Sequence, residues 1–216
     1  MKNIHLLSCF LLTTIILIFS CANKNTSDKQ SNVMELKENT NQEKYSKENT
    51  RRFNIDTKNT IIEWYGKKTT GAHNGNIQME KGALILNKDG EIVSGKFMID
   101  MNSINCTDLN GNKKQSIEEH LKDDDFFGTD KHPTASFIIK AADADRIYGT
   151  LTIKGISKQI DFPYSKINKH QYKAEIKIDR TLFDIKYKSK TIFPELGDNF
   201  IHDDFIIKLN PLSITK

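Results

Sequence analysis

One stretch of the chain concentrates the side chains that could do chemistry. The histidines and aspartates of this stretch are His120, Asp123, Asp124, Asp125, Asp130 and His132. Imidazole and carboxylate groups bind divalent metals, so one interpretation is a metal site formed by all of them except Asp124. Their mixed spacing, however, matches no ligand template that has a physical rationale. The other interpretation is structural, with the aspartates capping backbone N–H groups or pairing with Lys and Arg side chains.

A short helix must position this stretch. Ile117 and Leu121 are four residues apart, which places them on one face of a predicted helix from Lys113 to Lys122. So short a helix is unstable alone in water and must pack against the rest of the fold. The aspartates at its C-terminal end oppose the helix dipole, and Phe126 and Phe127 leave one turn in different directions. This costly arrangement indicates a specific tertiary role, in which the phenylalanine pair seals one end of the domain.

Other candidates for catalysis lack the partners that chemistry requires. The sequence contains no G-x-S-x-G and no H-E-x-x-H, and Cys106 has no local histidine signature. His73 is predicted to be an exposed loop residue. His202, Asp203 and Asp204 could join the first acidic stretch in binding a cation, but solvated charges explain them equally. The sequence therefore predicts a protein that is not an enzyme and that has no catalytic residues and no cofactor.

Composition excludes a nucleic-acid-binding protein and gives no sign of a disulfide-stabilised one. The 216 residues carry a net charge of +4, with charges of both signs interspersed. A nucleic-acid partner is excluded because it would require a concentrated basic stripe. The 3 cysteines are Cys9, Cys21 and Cys106, and they do not form a readable disulfide framework.

The N-terminus predicts export and membrane attachment. Residues 1–20 read as a signal peptide with an apolar core from Leu6 to Phe19. This segment ends in Ile18-Phe19-Ser20-Cys21, which looks like a bacterial lipobox and makes Cys21 the lipidated residue of a membrane anchor. The alternative is ordinary secretion, with Cys21 left in the leader. Residues 21–52 are polar and predict a lipid-anchored, disordered tether. The expected location is the bacterial cell envelope, anchored to a membrane and facing the periplasm or the cell surface.

From Phe53 to the C-terminus the apolar residues alternate with polar ones. The alternating segments are Ile62–Trp64, Met79–Asn87, Val93–Met101, Ala135–Ala141, Ile147–Ile153, Ile160–Tyr164, Tyr172–Ile178 and Phe205–Leu209. Turn residues such as Asn87 to Gly90 and Gly155 join neighbouring segments as hairpins. The sequence therefore predicts an all-β domain over residues 53–216, an antiparallel β-barrel of about eight strands with one short α-helix between strands.

Whether such a barrel is hollow is left open by the residues themselves. An eight-stranded barrel is either filled by its own side chains or holds one small ligand. The inward sets contain small residues, namely Gly95, Ala135, Ala141, Gly149 and Ala174. These residues either leave room for a guest or accommodate the taper of the barrel.

Four segments in order resemble the YceI-like family. The stretch His120-Leu121-Lys122 to Ala135-Ser136-Phe137 looks like one signature of these proteins, and Gly149 to Lys158 resembles another. Ile99 to Ile104 and Ile178 to Ile185 fit as well. The resemblance implies a lipocalin-like barrel that holds a polyisoprenoid or a similar lipid, such as a fatty acid.

This resemblance favours a hollow barrel and a lipid-binding or carrier function. The candidate lining residues are Trp64, Phe97, Phe126, Phe127, Phe137 and Phe162. The competing interpretation is a metal-binding or stress-related envelope lipoprotein with a filled barrel. An edge left open near Thr181 to Asn199 would also permit a homodimer.

Overall fold

The computed structural model describes residues 49–215, and most of them form strands of one sheet. The strands are β1 Thr50–Ile55, β2 Ile62–Lys68, β3 Gly71–Asn87, β4 Ile92–Cys106, β5 Thr134–Ala142, β6 Arg146–Ile153, β7 Ile156–Asn168, β8 Gln171–Asp179 and β9 Ile201–Thr215. One α-helix, α1 Gly111–Lys122, lies between β4 and β5, and two 3-10 helices, Arg180–Phe183 and Pro194–Asn199, lie between β8 and β9. In this part of the chain no helix is long and apolar enough to cross a membrane.

The sheet closes into an antiparallel barrel. From β2 to β9 each strand pairs with the next along the chain, and β9 pairs back with β2. These eight strands confirm the predicted barrel. β1 pairs with β3 and β9 beyond the end of β2, so β1 and β2 occupy the same position in the barrel wall. β1 begins at Thr50, so the predicted domain boundary at Phe53 falls inside this strand.

Two β-bulges change which residues face inward. In β4 the register changes between Ile85↔Ser94 and Leu86↔Ile92, so Ile92 is buried while Val93 sits at the irregularity, only half-buried. In β5 a bulge at Lys140 leaves Ala141 exposed. The predictions that Val93 and Ala141 face inward are therefore wrong, because one extra residue in a strand reverses the faces that follow it.

Local turn chemistry fixes the neighbouring strands. Between β6 and β7, Lys154 and Gly155 both have positive φ, 52° and 75°, which a two-residue hairpin with the twist of its strands requires. Between β3 and β4, the Asn87 side chain accepts hydrogen bonds from the backbone N–H groups of Asp89 and Glu91. Such short connections favour strand pairing between sequence neighbours.

The helix is two residues longer at its N-terminus than predicted. It begins at Gly111. None of its residues is buried, so the helix does not lie inside the barrel. Its C-terminal turn is folded by backbone bonds, with the N–H groups of Phe126 and Gly128 donating to the Asp123 carbonyl at 3.0 and 2.8 Å. Gly128, at φ 57°, takes a left-handed conformation that favours glycine. This turn delivers Phe126 and Phe127 to the end of the barrel.

Candidate functional site

The barrel encloses an apolar cavity of about 220 Å³. Its wall is formed mainly by inward-facing aliphatic and aromatic side chains of β2 to β9. Leu121 of α1, the turn after α1 and Arg180 of the first 3-10 helix complete it. The wall residues extend from Ile92 to Ile104 along β4, so the cavity follows most of the length of that strand. An apolar cavity of ~150 Å³ is already enough to stay dry and hold a benzene molecule. The barrel is therefore hollow, with room for an apolar guest.

All six predicted lining residues lie on the wall of this cavity. They are Trp64, Phe97, Phe126, Phe127, Phe137 and Phe162. Phe137 connects two of the others, with ring centroids 6.3 Å from Phe97 and 5.3 Å from Phe162. The structure brings the six together in one space, and their contact with a ligand stays a prediction.

The small inward residues do not all create space for a guest. A Cβ on Gly149 would lie 2.5 Å from Cζ of Phe137, and one on Gly95 would lie 2.9 Å from Cδ2 of Leu84. The space beside these glycines is thus taken by neighbouring side chains. Ala135 and Ala174, in contrast, are on the cavity wall.

The end of the cavity that carries α1 is bounded by the predicted phenylalanine pair. The rings of Phe126 and Phe127 lie 5.1 Å apart, edge to face, and Phe127 contacts Phe205 of β9 in the same manner at 6.2 Å. Phe126 is buried and also touches the ring of His120 at 5.5 Å. The phenylalanines therefore pack against both α1, through His120, and the sheet, through Phe205.

Arg180 is a buried charged residue on the wall of this cavity. Its side chain is about 2% exposed, and its Nε, Nη1 and Nη2 atoms donate to the carbonyls of His202, Ile185 and Ile201 at 3.1, 2.9 and 3.1 Å. Burial lowers the pKa of this guanidinium, and Asp203, with Oδ1 3.6 Å away, opposes that shift. Arg180 lies within the Ile178 to Ile185 segment that resembles the family, but the sequence did not indicate it as a site residue. The signal in the sequence is that Arg180 takes the next position of the apolar alternation that runs from Tyr172 to Ile178.

The proposed metal ligands come together only in part. Among the described residues, His120, Asp123 and Asp125 can bring one ligand atom each to within 4.8 Å of one another. Asp130 and His132 are not in this group. Asp203, which the sequence suggested could join them, accepts hydrogen bonds from the N–H and hydroxyl of Thr191, the latter at 2.5 Å. Two of the three clustered residues are exposed aspartates, an arrangement that is common without a metal.

A second polar cluster was missed by sequence reasoning. The Asp108 carboxylate lies 2.9 Å from Nδ1 of His73 and accepts from the Asn74 N–H at 3.0 Å and the Cys106 thiol at 3.1 Å. His73 is therefore in β3 and hydrogen-bonded rather than in an exposed loop. Burial, with the bond to Asp108, raises the pKa of Cys106. Asn74 and His73 are 34 and 35 residues from Asp108 along the chain, so no local pattern reveals the cluster.

The remaining predicted site residue, Cys21, lies outside the described residues. The same is true of the predicted signal peptide and of the tether up to residue 48.

Comparison with known proteins agrees with the barrel and its motifs. The family model of the YceI-like domain matches residues 53–211. The chain belongs to the YceI-like family.

Individual relatives of this YceI-like chain are distant. A UPF0312 protein of Staphylococcus aureus strain USA300 is 40% identical over 50 residues, and the match spans 23% of this chain and 29% of that protein. BcnA of Burkholderia cenocepacia shares the fold, with a TM-score of 0.54 and 18% identity over 75% of this chain and 99% of BcnA. A polyisoprenoid binding domain from Saccharophagus degradans aligns with a TM-score of 0.49 and 12% identity, over 73% of this chain and 94% of that domain.

Proposed function

We propose that this protein binds a long apolar lipid chain, polyisoprenoid or fatty-acid-like, in its barrel, as a membrane-anchored lipid-binding or carrier protein of the cell envelope. The observation that carries the proposal is the cavity, whose wall is almost wholly apolar and extends along the barrel. The family resemblance points to the same class of ligand.

The energetics of transfer favour a chain over a compact ligand. Each CH₂ group removed from water contributes about 0.8 kcal/mol, so a chain gains affinity with every group that enters the cavity. Part of this gain is offset by the cost of ordering a flexible chain. The rigid aromatic side chains of the wall lose little entropy when they contact it. Binding by shielding from water therefore needs few polar contacts.

The same features favour binding over catalysis. The thiol of Cys106 is buried and absent from the cavity wall, and burial raises its pKa, so it is a poor nucleophile. The carboxylate and imidazole of Asp108 and His73 are absent from the wall too. We therefore propose that the bound lipid is held and released unchanged.

The direct test is the identification of the bound molecule. Protein purified together with its native membrane is extracted with organic solvent, and the extract is analysed by mass spectrometry. We expect about one long-chain lipid per barrel. An extract without lipid, together with failure of the purified protein to bind any added alkyl or prenyl chain, would contradict the proposal.

Two alanines provide matched variants for this test. Ala174 is on the cavity wall, whereas Ala141 lies on a strand but is exposed. Ala174→Phe adds a ring to the space that the lipid would occupy, and we expect several-fold lower lipid occupancy. Ala141→Phe adds the same ring to the surface and should leave occupancy unchanged. Equal occupancy in both variants would place the lipid elsewhere.

A further inference from the structure

The ladder between β7 and β8 stops well before the two strands do. It begins at their hairpin and ends at Tyr164↔Ala174. Beyond this pair β7 extends back to Ile156 and β8 runs on to Asp179, and each stays paired with its other neighbour, β6 or β9. Among the described residues no pairing joins β7 and β8 along this length. We call this place the β7–β8 gap, bounded by residues 156–163 and 175–179.

Pro163 explains where the ladder ends. The backbone N–H of Tyr164 donates to the Asp145 carbonyl at 2.8 Å, on the β6 side of β7. Because successive residues of a strand direct their backbone groups to opposite sides, the nitrogen of Pro163 faces β8. It would lie opposite Glu175 if the ladder continued, but proline has no N–H to donate. The gap therefore begins at a residue that cannot extend the ladder.

The β7–β8 gap lies against the cavity. Ile160 and Phe162 on its β7 side and Ile176 and Ile178 on its β8 side are all part of the cavity wall. Ile160 and Ile176 are only half-buried, whereas Ile147, on the laddered strand β6, is buried. Apolar wall residues thus border both sides of a stretch where no hydrogen-bonded ladder separates cavity from solvent.

The outer side of the gap is accessible. Gln159 and Asp161 of β7 are exposed, so water can satisfy the backbone groups that lack a strand partner there. The first 3-10 helix follows β8 directly and packs against β7. It carries Leu182, which is 48% exposed. An approaching apolar chain therefore finds an apolar side chain beside the gap before it reaches the cavity wall.

We propose that the β7–β8 gap is the portal through which the apolar chain enters and leaves the barrel. This inference rests on the proposed function and adds the route of exchange. A chain that crosses the wall here separates two strands that no ladder joins, whereas passage between two laddered strands breaks backbone hydrogen bonds. Motions of this kind gate exchange without changing the contacts of the bound state.

The first test restores the missing donor with Pro163→Val. Valine supplies an N–H that can extend the ladder to Glu175, so the gap opens less often. Entry of cis-parinaric acid, a fluorescent fatty acid, is followed by stopped-flow, and its exit by displacement with excess oleate. Both rates should fall about two- to tenfold, the effect of one hydrogen bond, while Kd stays unchanged. Pro194→Val changes a proline outside the sheet and should leave both rates as in wild type.

The second test closes the gap covalently. Asp161 and Lys177 are exposed and would lie opposite each other if the ladder continued. Asp161→Cys and Lys177→Cys, joined by a bis-methanethiosulfonate reagent, should slow entry and exit more than Pro163→Val does, and dithiothreitol should restore both rates. Each single variant, treated alike, shows the effect of modification without a bridge. The control bridge joins Asp161→Cys to Tyr148→Cys across the intact β6–β7 ladder and should not slow exchange.

The possible failures are distinguishable. If wild type binds neither cis-parinaric acid nor any other alkyl or prenyl chain, the proposed function fails. If wild type binds the probe but the bridge across the gap leaves both rates unchanged, lipid binding stands and the portal is wrong. Faster exchange in Glu118→Ala together with an ineffective bridge would assign entry to the α1 end. A bridge that weakens Kd without slowing exit would also overturn the portal, because the gap would then be a contact of the bound chain.

A bridge that slows exchange supports the portal even where Pro163→Val has no effect. Amide hydrogen exchange of Gln159 and Asp161 then shows whether the ladder extended in that variant. Unchanged exchange of these amides would mean that valine left the gap open.

Discussion

At the scale of single residues, Asp108 joins segments that are far apart in the sequence. Its carboxylate accepts hydrogen bonds from the Asn74 N–H and the Cys106 thiol and contacts His73, so it connects β3 to the end of β4. Burial acts to raise the pKa of Asp108, but the bonds from Asn74, His73 and Cys106 outweigh it and lower the pKa to about 2. Because these hydrogen bonds stabilise the ionised carboxylate, the folded protein favours the charged form of Asp108.

This shift predicts how stability depends on pH. The pKa of Asp108 is below its ordinary value of 3.8, so its contribution is complete above pH 3.8 and is lost as the pH falls toward about 2. We expect Asp108→Asn to lower the free energy of unfolding by about 1–2 kcal/mol at pH 7, and the difference from wild type to shrink below pH 3.8. Urea unfolding of both proteins at pH 7, 5, 3.5 and 2.5 measures this difference in the free energy of unfolding.

The control is Asp161→Asn, which removes an exposed ion pair with Arg146. This variant should lose less stability, and the loss should diminish with added salt. A stability difference for Asp108→Asn that is independent of pH would show that the carboxylate charge has no part in it.

At the scale of elements, α1 is attached to the barrel by Leu121, which packs against the core, by polar contacts and by the turn that follows the helix. The helix has no buried residue, yet Glu118 accepts from the N–H of Cys106 at 2.7 Å and Lys114 donates to the Cys106 carbonyl at 2.7 Å. These bonds hold α1 against the end of β4. Since Phe126 and Phe127 follow the helix directly, its attachment determines where that end of the cavity lies.

We therefore expect Glu118→Ala to loosen this end of the barrel. The substitution leaves the buried N–H of Cys106 without an acceptor, which costs about 1–3 kcal/mol. Amide hydrogen exchange should accelerate in α1 and in the Asp123–Gly128 turn while β6 and β7 stay protected.

Glu119→Ala is the matched control, because Glu119 is exposed and its side chain accepts a hydrogen bond from Gln115, a neighbour in the same helix, at 2.8 Å. The opening free energies that amide exchange reports for this variant should match those of wild type within a few tenths of a kcal/mol. Equal acceleration in the two variants would mean that Glu118 does not anchor the helix.

At the scale of the whole molecule, closure of the barrel bears on where a homodimer could form. An edge left open near Thr181 to Asn199 would have permitted one, but β8 and β9 pair directly with each other from Gln171↔Ser213 to Asp179↔Asp204. The segment between these two strands adds one isolated bridge, from Ser189 to Ile201. Among the described residues this place offers no open edge, so a homodimer would need another surface.

Membrane attachment is also a property of the whole chain. We propose that a lipid on Cys21 anchors the protein and that about 30 residues of tether, up to about 100 Å when extended, separate anchor and barrel. Cys21→Ser should then move the protein from the membrane to the soluble fraction in fractionated cells. Cys9→Ser changes a cysteine inside the predicted signal peptide and should not affect partitioning. Membrane retention of Cys21→Ser would mean that the lipobox interpretation is wrong.

The sequence by itself determined the barrel. Side-chain alternation is a local property, and it repeats at Ile147 to Ile153 or Tyr172 to Ile178 regardless of what those strands later contact. Short turns then force neighbours to pair, and a sheet of this size closes on itself. The aromatic wall residues that lie on strands could be found in the same way, because each occupies the apolar face of its own strand; they are Trp64, Phe97, Phe137 and Phe162.

Only the tertiary structure decided whether the barrel is hollow and which polar groups matter. Free volume is the small difference between the space enclosed by the strands and the side chains that fill it, and it depends on contacts such as Phe137 against Gly149. Bulges at Val93 and Lys140 depend on the partner strand as well. The hydrogen bonds of Asp108 are likewise invisible in the sequence, because hydrogen-bond satisfaction is decided by neighbours that are distant along the chain.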